Sequence, residues 1–161
     1  MTKYGPFAQQ HDGVQMSWLS DQRRPVPDQL RRILGMLDGV KRHTYSIWRG
    51  ADPESIVGFR DHAGDSFIQA AGSMDGITVE VRLPGADGQG HLYSVGRREA
   101  PDGTTVLIPI NTTRAVRVFS NEVFTADEAA AIFYAYYLTE SVAQSYVLRE
   151  LDLSRELSER R

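Results

Sequence analysis

The chain has no cysteine among its 161 residues, which excludes disulfide staples, zinc–thiolate centres and thiol nucleophiles. A basic excess is also missing: the formal net charge is −3, so nucleic acid is not an expected partner. No apolar run approaches the roughly 20 residues of a membrane span. The most apolar window, Ala126 to Leu138, carries Asp127 and Glu128. Met1 to Gln15 holds one lysine and no apolar stretch, unlike a signal peptide. No serine sits in a Gly-x-Ser-x-Gly elbow. The four histidines, His11, His43, His62 and His91, lack the i, i+4 spacing of a helical metal site. Gly85–Gly90 is glycine-rich, yet it lies between two strand candidates and lacks the lysine of a phosphate loop. The expectation is a soluble, cytoplasmic protein with no catalytic residue, metal or cofactor.

What is present is a hairpin. Between Gly64 and Leu83, the residues Ile77, Val79, Val81 and Leu83 alternate with Thr78, Glu80 and Arg82. That period of two marks an antiparallel strand buried on one side and solvated on the other. Gly72 to Gly76 supplies the turn that folds Ser66–Ala71 back onto it.

Around the hairpin, residues 1–13 read as an irregular polar arm, 14–153 as one domain, and 154–161 as a charged tail. Val14–Leu19 and His43–Arg49 are strand candidates, and Ile56–Phe59 is a short one. So are His91–Gly96, Thr105–Ile110 and Arg114–Phe119, the first two joined through the turn Ala100–Gly103. Pro109 places its strand at an edge or a bulge. A helix over about 27–38 starts at Pro25 and Pro27, buries Leu30, Ile33, Leu34 and Leu37, and stops at Gly39.

A second helix, over about 125–139, opens with a capping box in which Thr125 accepts from the Glu128 N–H and the Glu128 carboxylate reaches back. Its apolar stripe is Ala129, Ile132, Phe133, Tyr136 and Tyr137. Tyr146, Leu148 and Leu151 suggest a last extended or short helical piece. Strands grouped between two helices predict an α+β fold with a mainly antiparallel sheet of five to seven strands.

Two surface candidates stand out. Gln69, Glu80 and Arg82 fall on the polar face of the hairpin, where a carboxylate beside a guanidinium suits recognition better than proton transfer. Trp48 with Arg49, and Tyr134 on the second helix, are residue types that anchor protein interfaces. For each the plainer alternative is a solvated sheet face or core packing. Asp61-His62 with Asp65 reads as a solvated turn rather than half a metal site. Charge is segregated: Asp21–Arg42 is net basic, and the chain from Glu122 onward is net acidic, which could steer a basic partner.

The strand Val79–Arg82, the segment His91–Gly96, a last strand, and the helix from Asp127-Glu128-Ala129 through Phe133, Tyr136 and Tyr137 to Thr139-Glu140 follow in that order. Across residues 66–150 this resembles the small immunity proteins of bacterial polymorphic toxin systems, in particular the mostly-β group found beside deaminase-type toxins. Thr139 is followed by Glu140 where that group closes on Thr-Gly, and no tryptophan occurs after Trp48. The resemblance implies a non-enzymatic inhibitor that binds a cognate toxin protein and occludes its active site. The alternative is a small-ligand-binding or enzymatic α+β domain with a pocket lined by Gln69, Glu80, Tyr93 or His91. Oligomeric state stays open, with a monomer preferred.

Overall fold

The computed structural model describes residues 7–50, 66–99 and 102–151. They form an α+β domain in which seven antiparallel strands make one sheet, two helices cover one of its faces, and a separate two-stranded ribbon lies beside the other. In chain order these are β1 (Phe7–His11), β2 (Gln15–Leu19), α1 (Val26–Leu34), β3 (Thr44–Arg49), β4 (Phe67–Ser73), β5 (Gly76–Pro84), β6 (Gly90–Arg97), β7 (Thr105–Pro109), β8 (Ala115–Phe119), α2 (Ala126–Thr139) and β9 (Tyr146–Glu150). The sheet runs β2-β1-β3-β4-β5-β6-β9, while β7 and β8 pair only with each other. No helix among the described residues is long and apolar enough to cross a membrane.

The arm expected over residues 1–13 holds an inner strand. Phe7–His11 pairs with β2 on one side and β3 on the other, and its side chains are mostly buried. The polar residues Gln9 and Gln10 hide it from a hydrophobicity reading. Gln9 takes the place of an apolar residue by accepting a 2.6 Å hydrogen bond from the Tyr45 hydroxyl and donating to Ser17. A fully satisfied polar pair can be buried without the usual desolvation loss. Burial also holds the Tyr45 phenol far above its ordinary pKa. The sequence candidates at 56–59 and 61–65, and the tail 154–161, lie outside the described residues.

The main core forms between the sheet and the helices. Ile47, Ile68, Ile77, Val79 and Val81 from the sheet meet Leu30, Leu34, Ile132, Phe133 and Tyr136. The first helix ends four residues earlier than its pattern predicts, at Gly35, whose N–H bonds to the Arg31 carbonyl. Leu37 still reaches the core from the loop that follows. That loop is built by Asp38, whose carboxylate accepts the backbone N–H groups of Val40, Lys41 and Arg42 at 2.8–2.9 Å. Those three bonds draw its pKa down to about 2.

The second helix matches its expected start, with Thr125 Oγ1 accepting from Glu128 N. The reciprocal half of the capping box is replaced. The Glu128 carboxylate turns away from the cap to Arg97 at 2.5 Å and to the Tyr146 hydroxyl at 3.2 Å, tying α2 to β6 and β9. The helix closes on Glu140, a non-glycine residue in the left-handed region with φ 55°. Its carboxylate lies 2.9 Å from Arg49 Nε, so the cation of β3 sits beside a carboxylate that the helix's negative end would otherwise disfavour.

Beyond α2 the last segment resolves as a strand, β9, at the sheet edge next to β6. The chain between β6 and β9 first builds the β7–β8 ribbon, so β6 does not pair with β7 as the local turn signals suggest. Pro109 ends β7 opposite Ala115.

Candidate functional site

The candidate site lies on the sheet face that carries no helix. In register, one row runs from β1 to β9 on this side: Gln10, Ser46, Gln69, Glu80, Ser94 and Arg149. The pairing of Gln69 with Glu80 follows from the hairpin register, and Gln69 Nε2 donates to Glu80 Oε1 at 2.6 Å. Arg82 lies two positions along the same face, opposite Phe67. The hairpin patch expected from alternation is therefore assembled as predicted.

Its surroundings differ from the expectation of a solvated face. Thr78 is only 2% exposed, and Ser46 and Ser94 are equally buried. Two structures cover them. The β7–β8 ribbon brings Ile110, Arg114 and Val116 against Ala71 and Thr78. The 3-10 turn Ser120–Glu122 seats Asn121 and Glu122 over Gly96. Between cover and sheet remains a cleft of about 460 Å³, lined by Ser46, Gln69, Thr78, Glu80, Ile110 and Arg114 among others. At its walls, Thr78 Oγ1 and Arg114 Nε are buried without a hydrogen-bond partner among the described residues. Buried polar atoms of that kind are the exception in folded proteins.

The six sequence candidates divide between the two sides of the sheet. Trp48 shares the face of Gln69, Glu80 and Arg82, yet it is fully buried with Ala8 and Phe67 and offers no outer surface. Its assignment as a contact residue is corrected to core. Arg49 points to the helical side, over the Phe7 ring at 5.0 Å and against Glu140. Tyr134 is half-buried, also on the helical side, stacked on Tyr137 with ring centroids 6.1 Å apart. Only Gln69, Glu80 and Arg82 form one patch. Of the pocket residues foreseen beside them, Tyr93 and His91 lie on the opposite face, in register with Val81 and Leu83.

Sequence reasoning missed the lock that holds the cover in place. Glu122 is 3% exposed; it accepts the Phe119 N–H at 2.8 Å and a two-pronged ion pair from Arg149 at 2.8 and 2.9 Å. The pair joins residues 27 apart in the chain, so no local motif announces it. Replacing Glu122 by alanine leaves the Arg149 guanidinium and the Phe119 N–H without these bonds. A loss of about 2 kcal/mol in urea unfolding is expected, the scale of hydrogen bonds to charged groups at a half-exposed partner. An unchanged urea midpoint would show that the lock does not hold the cover.

His91 forms a second cluster at the far end of β6. Its Nε2 lies 2.9 Å from Asp87 Oδ2 and its Nδ1 3.5 Å from Glu150. The bond to Asp87 raises the imidazole pKa above its ordinary 6.5, with Glu150 adding to it. Asp87 is lowered, first by the Gln89 N–H and then by His91. The folded state thus favours the protonated imidazole. Its stabilising contribution is complete below pH 6.5 and fades as pH rises through the raised pKa. NMR titration of His91 is expected to give a midpoint above 6.5 that falls in Asp87→Asn; a midpoint at or below 6.5 in the parent contradicts this. Among the described residues no group of three or more His, Asp or Glu side chains is arranged to hold a metal ion.

Comparison with known proteins finds no matching family model, no matching curated protein and no matching solved structure.

Proposed function

We propose that this protein is a non-enzymatic, cytoplasmic inhibitor of the immunity type, which binds a cognate toxin protein through the helix-free face of its sheet. The segments that carry the sequence resemblance map onto β5, β6 and α2, which share one hydrophobic core although the β7–β8 ribbon lies between β6 and α2 in the chain. The observation that carries the reading is the Gln69–Glu80 pair. Its hydrogen bond fixes a carboxylate and an amide, both half-exposed, on a rigid central sheet with Arg82 beside them. Side chains held in place before binding lose little entropy on contact, which favours recognition. A carboxylate on this surface suits a cationic or hydrogen-bond-donating group of the partner.

Co-expression with the product of the adjacent gene tests this. A one-to-one complex on a sizing column is expected, with toxin activity suppressed. Glu80→Gln and Gln69→Ala should each weaken it roughly tenfold, the scale of one lost charge-assisted contact. No complex with any adjacent-gene protein sinks the proposal.

The cleft favours a second reading, a small polar ligand held between the sheet and the β7–β8 ribbon. Its volume of about 460 Å³ lies within the usual range for small-molecule sites, and the unpartnered Thr78 hydroxyl and Arg114 Nε provide contacts. A melting-temperature screen of small metabolites, repeated on Arg114→Gln, separates this from the inhibitor reading. A metabolite that stabilises the parent and not the variant favours it; no stabilising compound removes it.

A further inference from the structure

The net-basic segment Asp21–Arg42 finds a structural counterpart away from the cleft. Where β2 ends and the chain turns into α1, a groove of about 550 Å³ is lined by Trp18, Arg23, Arg24, Gln29, Arg32 and Ile33 among others. Among the described residues its lining contains three arginines and no acid. Arg23, Arg24 and Arg32 are exposed and enter no salt bridge among the described residues. Arg31, on the same helix, differs: it lies against Asp28 and Asp127.

The groove is built rather than incidental. Gln29 of α1 donates to the Ser20 carbonyl and, at 2.7 Å, to the Arg24 carbonyl. These two bonds clamp the loop that carries Arg23 and Arg24 onto the helix that carries Arg32. Trp18, half-buried, rests against the Ala8–Trp48–Phe67 cluster and so is held as one wall.

We infer that this groove is a docking surface for an acidic segment of the protein partner, a stretch of several carboxylates. The inference rests on the inhibitor reading for the existence of that partner. Three guanidiniums spread over a loop and a helix match carboxylates spaced along a chain, since each arginine can take one by paired N–H bonds. Tryptophan and arginine together are the residue types that dominate interface energetics. The groove's attraction runs opposite to the basic partner that the acidic C-terminal half suggests, so the partner's contact surface carries both signs.

The test uses the full chain and a fluorescein-labelled hexaglutamate peptide, read by anisotropy at several salt concentrations. Binding that weakens with salt is expected. The double variant Arg24→Glu, Arg32→Glu should bind at least tenfold more weakly, with an unchanged circular dichroism spectrum. If the double variant loses its fold, Arg23→Gln with Arg24→Gln, both outside the helix, repeats the measurement. Equal binding by parent and variant overturns the inference, as does full displacement of the peptide by equimolar inorganic phosphate, which would mark a simple anion site. Against the toxin, a complex that forms with undiminished affinity in the double variant overturns the inference while the inhibitor reading stands. The absence of any complex with the parent overturns that reading instead.

Discussion

Trp48→Ala is expected to lower the stability of the protein by about 3–5 kcal/mol, the scale for removing a fully buried large aromatic side chain. Trp48 is 0% exposed and packs with Ala8 and Phe67 on the sheet face that faces away from the helices. Ala8 and Phe67 sit on the two strands that flank its own, β1 and β4, so they cannot close over the missing indole without moving the sheet. Urea unfolding followed by circular dichroism measures the loss. In any binding experiment the variant would therefore be impaired through its fold and not through a lost contact. Arg82→Ala and Gln69→Ala, half-exposed on the same face, should each cost less than about 1 kcal/mol. A Trp48→Ala protein as stable as the parent would return Trp48 to the list of surface candidates.

Gly72→Ala should be of similar severity, about 3–5 kcal/mol, from backbone strain of 1–3 and overpacking of a similar size. Gly72 has φ 123°, which side chains rarely adopt. An added Cβ would overlap the Gly76 carbonyl oxygen and press on Ile108 Cγ2 at 3.0 Å. The obstruction is backbone, so no rotamer change relieves it. The position is crowded because three pieces converge on the hairpin tip. The loop after α1 bridges to it through Asp38 and Ser73, Phe124 pairs with Ile77 on the way into α2, and β7 lies against it. Gly88 is the control: it also has positive φ, 78°, but nothing stands within 4 Å of its added Cβ. Gly88→Ala should cost about 1 kcal/mol, measured in the same urea series. Equal costs at the two positions would show that the crowding at the hairpin tip is unimportant.

The elements most legible in the sequence are those whose signals are local. The β4–β5 pairing that sets Gln69 opposite Glu80 follows from a period of two and a nearby turn. The start of α2 follows from Thr125 and its hydrogen bond three residues on. Local signals fail where the deciding contact is distant. β1 is a polar segment made into an inner strand by partners 36 residues away, through Gln9 and Tyr45. Glu128 abandons its capping role because Arg97, 31 residues earlier, offers a stronger partner.

For the site, alternation correctly places Gln69, Glu80 and Arg82 on one face, because a strand's pleat decides that by itself. Alternation cannot say what lies over that face. Trp48 could have turned either way, and only its burial against β1 and β4 settles it as core. The cleft depends on where β7 and β8 go once they leave the main sheet. Its unpartnered groups come from β5 and from the loop before β8, segments 36 residues apart.

The sequence by itself determined the fold class, the polar hairpin patch and the absence of thiol chemistry, since each rests on composition or on a period of a few residues. Tertiary structure alone decided that the patch forms the floor of a covered cleft, that Trp48 supports it from within, and that three arginines on a loop and a helix share one groove. The physical reason is the same in each case. Pleat and helix periodicity orient side chains relative to their own element, while burial, ion pairing and crowding depend on which distant element packs against them.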